Sequence, residues 1–254
     1  MEKKYILTEE AKEVGGHILH RIQAMRDFGG VQKGDLGGWV ESEENLSHDG
    51  DCWIFDNGRV FGNGEVYGNG KVSGDGEVYD NGKVSGNGKV FDNGWVYDNG
   101  WVFGNGEVYG NGRVSGNGKV SGNGNVFDNG WVSDNGKVSD DGWVYDNGWV
   151  FGNGEVYGNG RVSDDGWVFG NAKIGFNAYI SSPRSYFVQG PIGSRNDFLT
   201  CYLDKDKKIY AVTGCFCGSI EVFVKKVKAV HGMNRWAKQY LKAAEMARVM
   251  LSGD

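Results

Sequence analysis

From Ile54 to Ile180 every sixth residue is a branched aliphatic, 22 positions without a skip, and between them the chain is polar, aromatic or glycine, with alanine only at 172 and 178. A typical unit is Trp95-Val96-Tyr97-Asp98-Asn99-Gly100: one apolar residue between two larger side chains, then three turn residues. Alternation over three residues predicts a short strand with Val on one face and its neighbours on the other. Asp, Asn and Gly tolerate positive φ, so the chain turns a corner before the next strand. Three strands and three corners make an 18-residue coil, and stacking about seven of them encloses a column of valines.

The Asn-Gly pairs also favour two-residue hairpins. A meander of such short strands would leave its valines on one open face with no second layer over them, whereas coiling encloses them. The coil is therefore preferred. A five-residue quadrilateral helix and the nine-residue calcium-binding roll both fail on period.

The last units carry Ala172 and Ala178 at the small position, and the array as a whole, Val-x-Gly-Asn-Gly/Ala-x, resembles the hexapeptide repeat of left-handed parallel β-helix proteins. The resemblance covers residues 54 to 180 and implies left-handed coiling, an exception to the usual right-handed crossover. Two flanking segments, Lys33-Gly34-Asp35-Leu36-Gly37-Gly38-Trp39-Val40-Glu41 and Gly214-Cys215-Phe216-Cys217-Gly218, resemble uncharacterised hexapeptide-repeat proteins of phages and prophages. That second likeness implies an origin, not an activity. The expected fold is an all-β solenoid: a left-handed parallel β-helix over 51–182, an N-terminal hairpin and cap over 1–50, and a small α+β domain of ββαα order over 183–254.

Open backbone edges at both ends of such a helix need covers. The first cover is read as a hairpin, Tyr5 to Thr8 and His17 to Met25, around Gly15-Gly16, leading through Leu36 to Trp39 into the first coil. Downstream, Pro183 and Pro191 mark a linker, followed by a hairpin of Phe198 to Leu203 and Ile209 to Thr213. One helix is expected from Ser219, an N-cap, to Val230 with Gly232 beyond; a second spans Asn234 to Leu251 with Trp236, Tyr240, Ala243, Ala247 and Met250 on one face.

Composition sharpens this outline. Most of the 45 glycines keep the register of the repeat, so their abundance signals order rather than low complexity. No apolar run is long enough for a membrane span and no charged-then-apolar start reads as a secretory signal, so a cytoplasmic location is expected, the bacterial host's if the phage likeness holds. Cys52, Cys201, Cys215 and Cys217 lack paired CxxC spacing and read as reduced thiols; no metal and no cofactor is expected. The net charge of −6 is divided unevenly: 6 basic and 10 acidic side chains in 1–50, 9 and 17 in 51–180, 12 and 6 in 181–254. An acidic rod with a basic end excludes a general nucleic-acid binder, which needs a continuous Lys/Arg surface. A small anion or an acidic protein suits the basic end.

The hexapeptide resemblance implies acyltransferase activity, but such enzymes use a His beside the coils, and His17, His20, His48 and His231 all lie outside the array. No insertion interrupts the hexads either, so catalysis by the array is not expected. Folding the sequence at 18 residues per coil gathers four of the seven array tryptophans on one face: Trp95, Trp131, Trp149 and Trp167, with Tyr97, Phe151 and Phe169. Such a strip marks a binding surface, self-association to a dimer or trimer included, or else stiffens the rod by stacking. Asp80, Asp92, Asp98, Asp128, Asp134, Asp140, Asp146 and Asp164 sit at corners beside an Asn ladder, and either imitate a phosphate backbone or aid solubility. In the C-terminal domain Ser194 and Arg195 with Lys225, Lys226 and Lys228 form a candidate anion site, alternatively a solvated helix face. Cys215 and His231 invite a nucleophile-and-base reading that lacks an orienting third group. These features favour a non-enzymatic interaction protein that blocks a host macromolecule; a nucleotide- or anion-sequestering protein and an acyltransferase are the alternatives.

Overall fold

The computed structural model describes residues 3–252. Strand β1 (Tyr5–Val14) pairs with β2 (His17–Ala24) around Gly15 and Gly16, both at positive φ. β1 runs six residues past Thr8, through a register shift between Leu7 and Ala11. β2 then pairs antiparallel with β3 (Leu36–Val40), and β3 pairs in parallel with Arg59–Val60. The hairpin is thus an antiparallel extension of one wall of the solenoid, covering its open edge.

The solenoid contains 22 two-residue strands from Trp53–Ile54 to Tyr179–Ile180. Each pairs in parallel with the strands 18 residues away, Val on Val: Val96 lies between Val78 and Val114. Three columns result. Face one runs from Val40 through Val60 to Val168, face two from Val66 to Ile174, and face three from Ile54 to Ile180. Leu46 bridges to Val66 at the head of face two. There are accordingly about eight coils, one more than the period alone gives. Val40 and Leu46 are already in step, but two extra residues between Leu46 and Ile54 break the spacing of six, so the first coil lies outside the unbroken period.

Every inward Val or Ile from Ile54 to Ile180 is at most 1 % exposed. At about 1.5–3 kcal/mol for each fully buried aliphatic side chain, this column is the main cohesive term of the rod. Close stacking also dictates the glycine that ends each unit. A Cβ on Gly100 would lie 2.5 Å from the Val114 carbonyl oxygen of the next coil, and the same clash recurs along the array. Ala172 and Ala178 fall at this position where no further coil follows, so no next-coil carbonyl stands against the methyl group.

At the far end, Tyr202 and Val212 join the valine core and close it. They belong to an antiparallel sheet of β4 (Tyr186–Ile192), β5 (Asp197–Leu203), β6 (Ile209–Thr213) and β7 (Phe216–Ser219). The order is therefore ββββαα rather than ββαα. The expected linker at Pro191 is part of β4, where a register shift between Gln189 and Ile192 spares the ladder a missing N–H. Helix α1 (Ile220–His231) is capped by Ser219, whose hydroxyl accepts from the Val222 N–H, and α2 (Arg235–Leu251) by Asn234. Ala237, Tyr240, Ala243, Ala244, Ala247 and Leu251 face inward. Met250, expected on that face, is exposed, because Leu251 takes the inward position one residue on. The Thr200 hydroxyl accepts from the Lys173 N–H at 3.1 Å and the Tyr186 hydroxyl from the Phe169 N–H at 3.3 Å, fixing this domain to the last coil.

Candidate functional site

Three surfaces carry the candidate residues. The tryptophans of the aromatic strip all lie on face one, as the 18-residue folding places them. Their rings lean on one another: Trp131 on Trp149 at 4.8 Å and Phe151 on Phe169 at 5.3 Å, both nearly parallel, with Trp167 edge-on to Trp149. Trp95 and Tyr97 sit higher, Trp95 under the Arg113 guanidinium and Tyr97 stacked on Tyr79. Ring faces are therefore largely occupied within the ladder. Trp167 (43 % exposed) and Phe169 (44 %) form the open end of the strip. Face three holds a second ladder, Phe91-Tyr109-Phe127-Tyr145, with centroids 4.8 to 5.0 Å apart. Counting tryptophans alone misses it; the signal was the third residue of each unit at intervals of 18.

The corner aspartates share one backbone state. Asp80, Asp92, Asp98, Asp128, Asp134, Asp140, Asp146 and Asp164, and Asp56 besides, all have φ between 49° and 54°, the position that Gly takes in the other units. Asp is one of the few L residues that visits this region readily. Asp98, Asp134 and Asp140 also each accept a backbone N–H from the next coil at 3.3 to 3.4 Å. The edge between faces one and two carries an unbroken amide ladder from Asn63 to Asn171, each side chain donating to the next. Asp56, Asp75, Asp92, Asp128, Asp146, Asp164 and Asp165 instead gather on the edge between faces three and one. That edge lies opposite face two, so the prism has one acidic side.

The third surface is a cavity of about 250 Å³ in the C-terminal domain, lined by Ser194, Arg195, the 213–216 turn, Phe223, Lys226, Val227, Val230, His231 and Tyr240. It unites residues that the sequence offered as two separate constellations. Arg195 comes from the β4–β5 turn and reaches Cys215, with Nη1 3.9 Å from the sulfur. On α1, residues 223, 226, 227 and 230 point into the cavity at helical spacing. Lys225 and Lys228 are on the outer side of that helix and do not line it. Cys215 is exposed and Cys217 partly so, while burial pushes the Cys201 thiol up to about 12. The other three histidines serve the N-terminal cap: His17 beside Glu41, His20 against the Thr8 carbonyl, and His48 stacked on Tyr5 at 4.4 Å.

A groove of about 520 Å³ on face two is lined by Lys119, Lys137, Lys173, Asp140, Glu155, Tyr157, Phe103 and Val212 among others. Gly214 lines both spaces. Lys137 is paired to Glu155 at 3.2 Å. Among the described residues no carboxylate lies within ion-pairing distance of Lys119, Lys173 or Arg195, and no cluster of three His, Cys, Asp or Glu side chains is placed to hold a metal. Among the described residues no helix is long and apolar enough to cross a membrane.

The fold is that of a hexapeptide-repeat parallel β-helix with a C-terminal α+β domain. No protein-family profile matches the chain. A stretch of 66 residues is 33 % identical to a protein of Escherichia coli (strain K12) described as the uncharacterized acetyltransferase YdcK. The stretch is 23 % of this chain and 20 % of that protein, so the chain spans about a fifth of the curated relative it matches.

Proposed function

We propose that this protein is a non-enzymatic binding protein, in which the β-helix is a rigid scaffold and the C-terminal domain holds a small organic anion. One observation carries the reading: Arg195 and Lys226, from different elements, meet with His231 at a cavity walled by Phe216, Phe223, Val227 and Tyr240. Cations over an apolar floor suit a ligand with an anionic group and a ring or chain. The acidic edge and the aromatic ladders have structural work of their own, in corner geometry and stacking, and support a ligand role less directly. Calorimetry with AMP tests the reading; Arg195→Ala is expected to weaken binding about tenfold, the order of one charge-assisted hydrogen bond. Absence of heat with AMP, ATP and inorganic phosphates alike would end it. Association with a protein partner, a host protein if the chain is phage-encoded, or with a second copy belongs to the same scaffold, through Trp167 and Phe169. Native mass spectrometry and pull-down with a Trp167→Ala/Phe169→Ala variant test that surface.

A second reading is acyl transfer, favoured by the description of the Escherichia coli relative and by Cys215 and His231 sharing one cavity. The nearest ring to His231 is Tyr240, at 6.0 Å between centroids, and among the described residues no carboxylate pairs with it to orient it as a base. Titration with acetyl-coenzyme A, followed by a thiol-release assay, decides this reading.

A further inference from the structure

The cavity alone is small for a complete ligand, below the usual lower bound of about 300 Å³ for small-molecule sites, while cavity and groove together fall well inside that range. Both are lined by Gly214, which has a left-handed φ of 54° in the β6–β7 turn. A Cβ there would meet Arg195 Nη1 at 3.1 Å and Asp197 Oδ2 at 3.9 Å, so the guanidinium stands at the residue the two spaces share, with one carboxylate behind it. On the groove side stands Lys173, the last rung of face two, whose backbone is tied to Thr200.

The charge pattern of the rod singles out Lys173. Elsewhere along the faces a cation one rung from a carboxylate pairs with it: Arg59 with Glu77, Lys83 with Glu65, Lys89 with Glu107. Glu155 stands between Lys137 and Lys173 but pairs with Lys137, leaving Lys173 unmatched beside the junction. Lys119 is also unmatched, but three rungs further on, roughly 14 Å at about 4.8 Å per strand. Face two is also the wall opposite the edge where most corner aspartates gather, and its groove is lined by three lysines against the two carboxylates Asp140 and Glu155.

Resting on the reading of the cavity as an anion site, we infer that the ligand is a nucleoside triphosphate laid across the two domains. Its base lies among Phe216, Phe223 and Tyr240, and its phosphate chain passes Arg195 and Gly214 to end at Lys173. The β-helix is then half of the binding site, and the position of the C-terminal domain on the last coil is what completes it.

Calorimetry on the intact chain with ATP, AMP and inorganic triphosphate tests this. ATP is expected to bind more tightly than AMP. Lys173→Ala should weaken ATP by about tenfold, the loss of one charge-assisted contact, while AMP stays unchanged. Lys119→Ala removes the same charge from the same groove and should cost less than about twofold. Equal affinities for ATP and AMP, or equal losses at Lys119 and Lys173, would overturn the inference while the cavity reading stands. Inorganic triphosphate binding as tightly as ATP would remove the base from it. Failure of every probe would overturn the cavity reading itself, a different result from failure of the lysine arm.

Discussion

The indole N–H of Trp149 donates to the Ser133 hydroxyl at 2.9 Å while its ring lies flat on Trp131, so one side chain is held by a hydrogen bond and a stack at once. Trp131 does the same to Ser115, and Trp101 to Ser85. In each pair Trp opens its unit and Ser stands 16 residues earlier, where a small side chain leaves room for the indole. Ser133→Ala should lower stability by about 0.5–1.5 kcal/mol through the lost bond, and Trp149→Ala by about 2–3 kcal/mol. Denaturant melts compared with wild type check both, and a Ser133→Ala melt identical to wild type would show that the hydroxyl contributes nothing through the bond.

Corner geometry predicts which substitutions Asp98 tolerates. Its φ of 53° costs nothing for Gly and roughly 1–2 kcal/mol for a residue such as Ala or Val, so Asp98→Gly should melt close to wild type and Asp98→Val clearly below it. Thermal unfolding of the two variants side by side measures the difference.

Position six of the unit makes an asymmetric pair. Gly100→Ala drives a methyl group into the Val114 carbonyl and should separate adjacent coils, costing about 1–3 kcal/mol as overpacking does. Ala172→Gly, at the same position past the last stacking partner, should cost no more than about 1 kcal/mol. Hydrogen exchange around each site would report local loosening in the first and little in the second.

Thiol labelling should follow exposure and environment. Cys215, exposed at the cavity mouth, is expected to react first with a small maleimide, Cys217 more slowly since burial raises its thiol, and Cys52 and Cys201 only on unfolding. Peptide mapping over a time course resolves the order. A nucleotide in the cavity should slow Cys215 alone.

Acid should loosen the N-terminal cap before the rod. The Glu41 carboxyl is held below its ordinary value of 4.5 first by the His17 ring, 3.0 Å from both oxygens, and then by the Gly62 amide at 2.7 Å. A depressed carboxyl stabilises the fold above its unfolded pKa, and that contribution is lost as pH falls through the lower, folded value. Protection of β1 and β2 amides should therefore fall below about pH 4.5, and Glu41→Gln should flatten the dependence. A hairpin equally protected at pH 3 and pH 6 in wild type would contradict it.

Much of the architecture is legible in the residues. The six-residue period gives the parallel coil and the inward valines, and folding it at 18 gives the wall on which Trp131, Trp149 and Trp167 meet. Ser219 and Asn234 announce the two helix starts. The first coil escapes because two inserted residues put Ile54 out of step with Leu46, and β4 escapes because Pro191 reads as a break until the register shift that accommodates it is seen. Arg195, Lys226, Cys215 and His231 were each visible as chemistry. Their meeting at one cavity was not, since they come from a turn, a hairpin tip and a helix whose packing no local pattern encodes. Lys225 and Lys228 show the converse: one and two residues from Lys226 in sequence, they are turned away from the cavity by the helical rotation.

The sequence by itself determined the repeat, its corners and the column at its centre, because each hexad contacts only its neighbours and local spacing is sufficient to define such an object. Tertiary structure alone decided where the rod begins, which side chains cover its ends and how the C-terminal sheet seats against Lys173. Those contacts join segments far apart in the chain, and their geometry follows from packing a non-repeating domain on the last coil, for which the sequence carries no period.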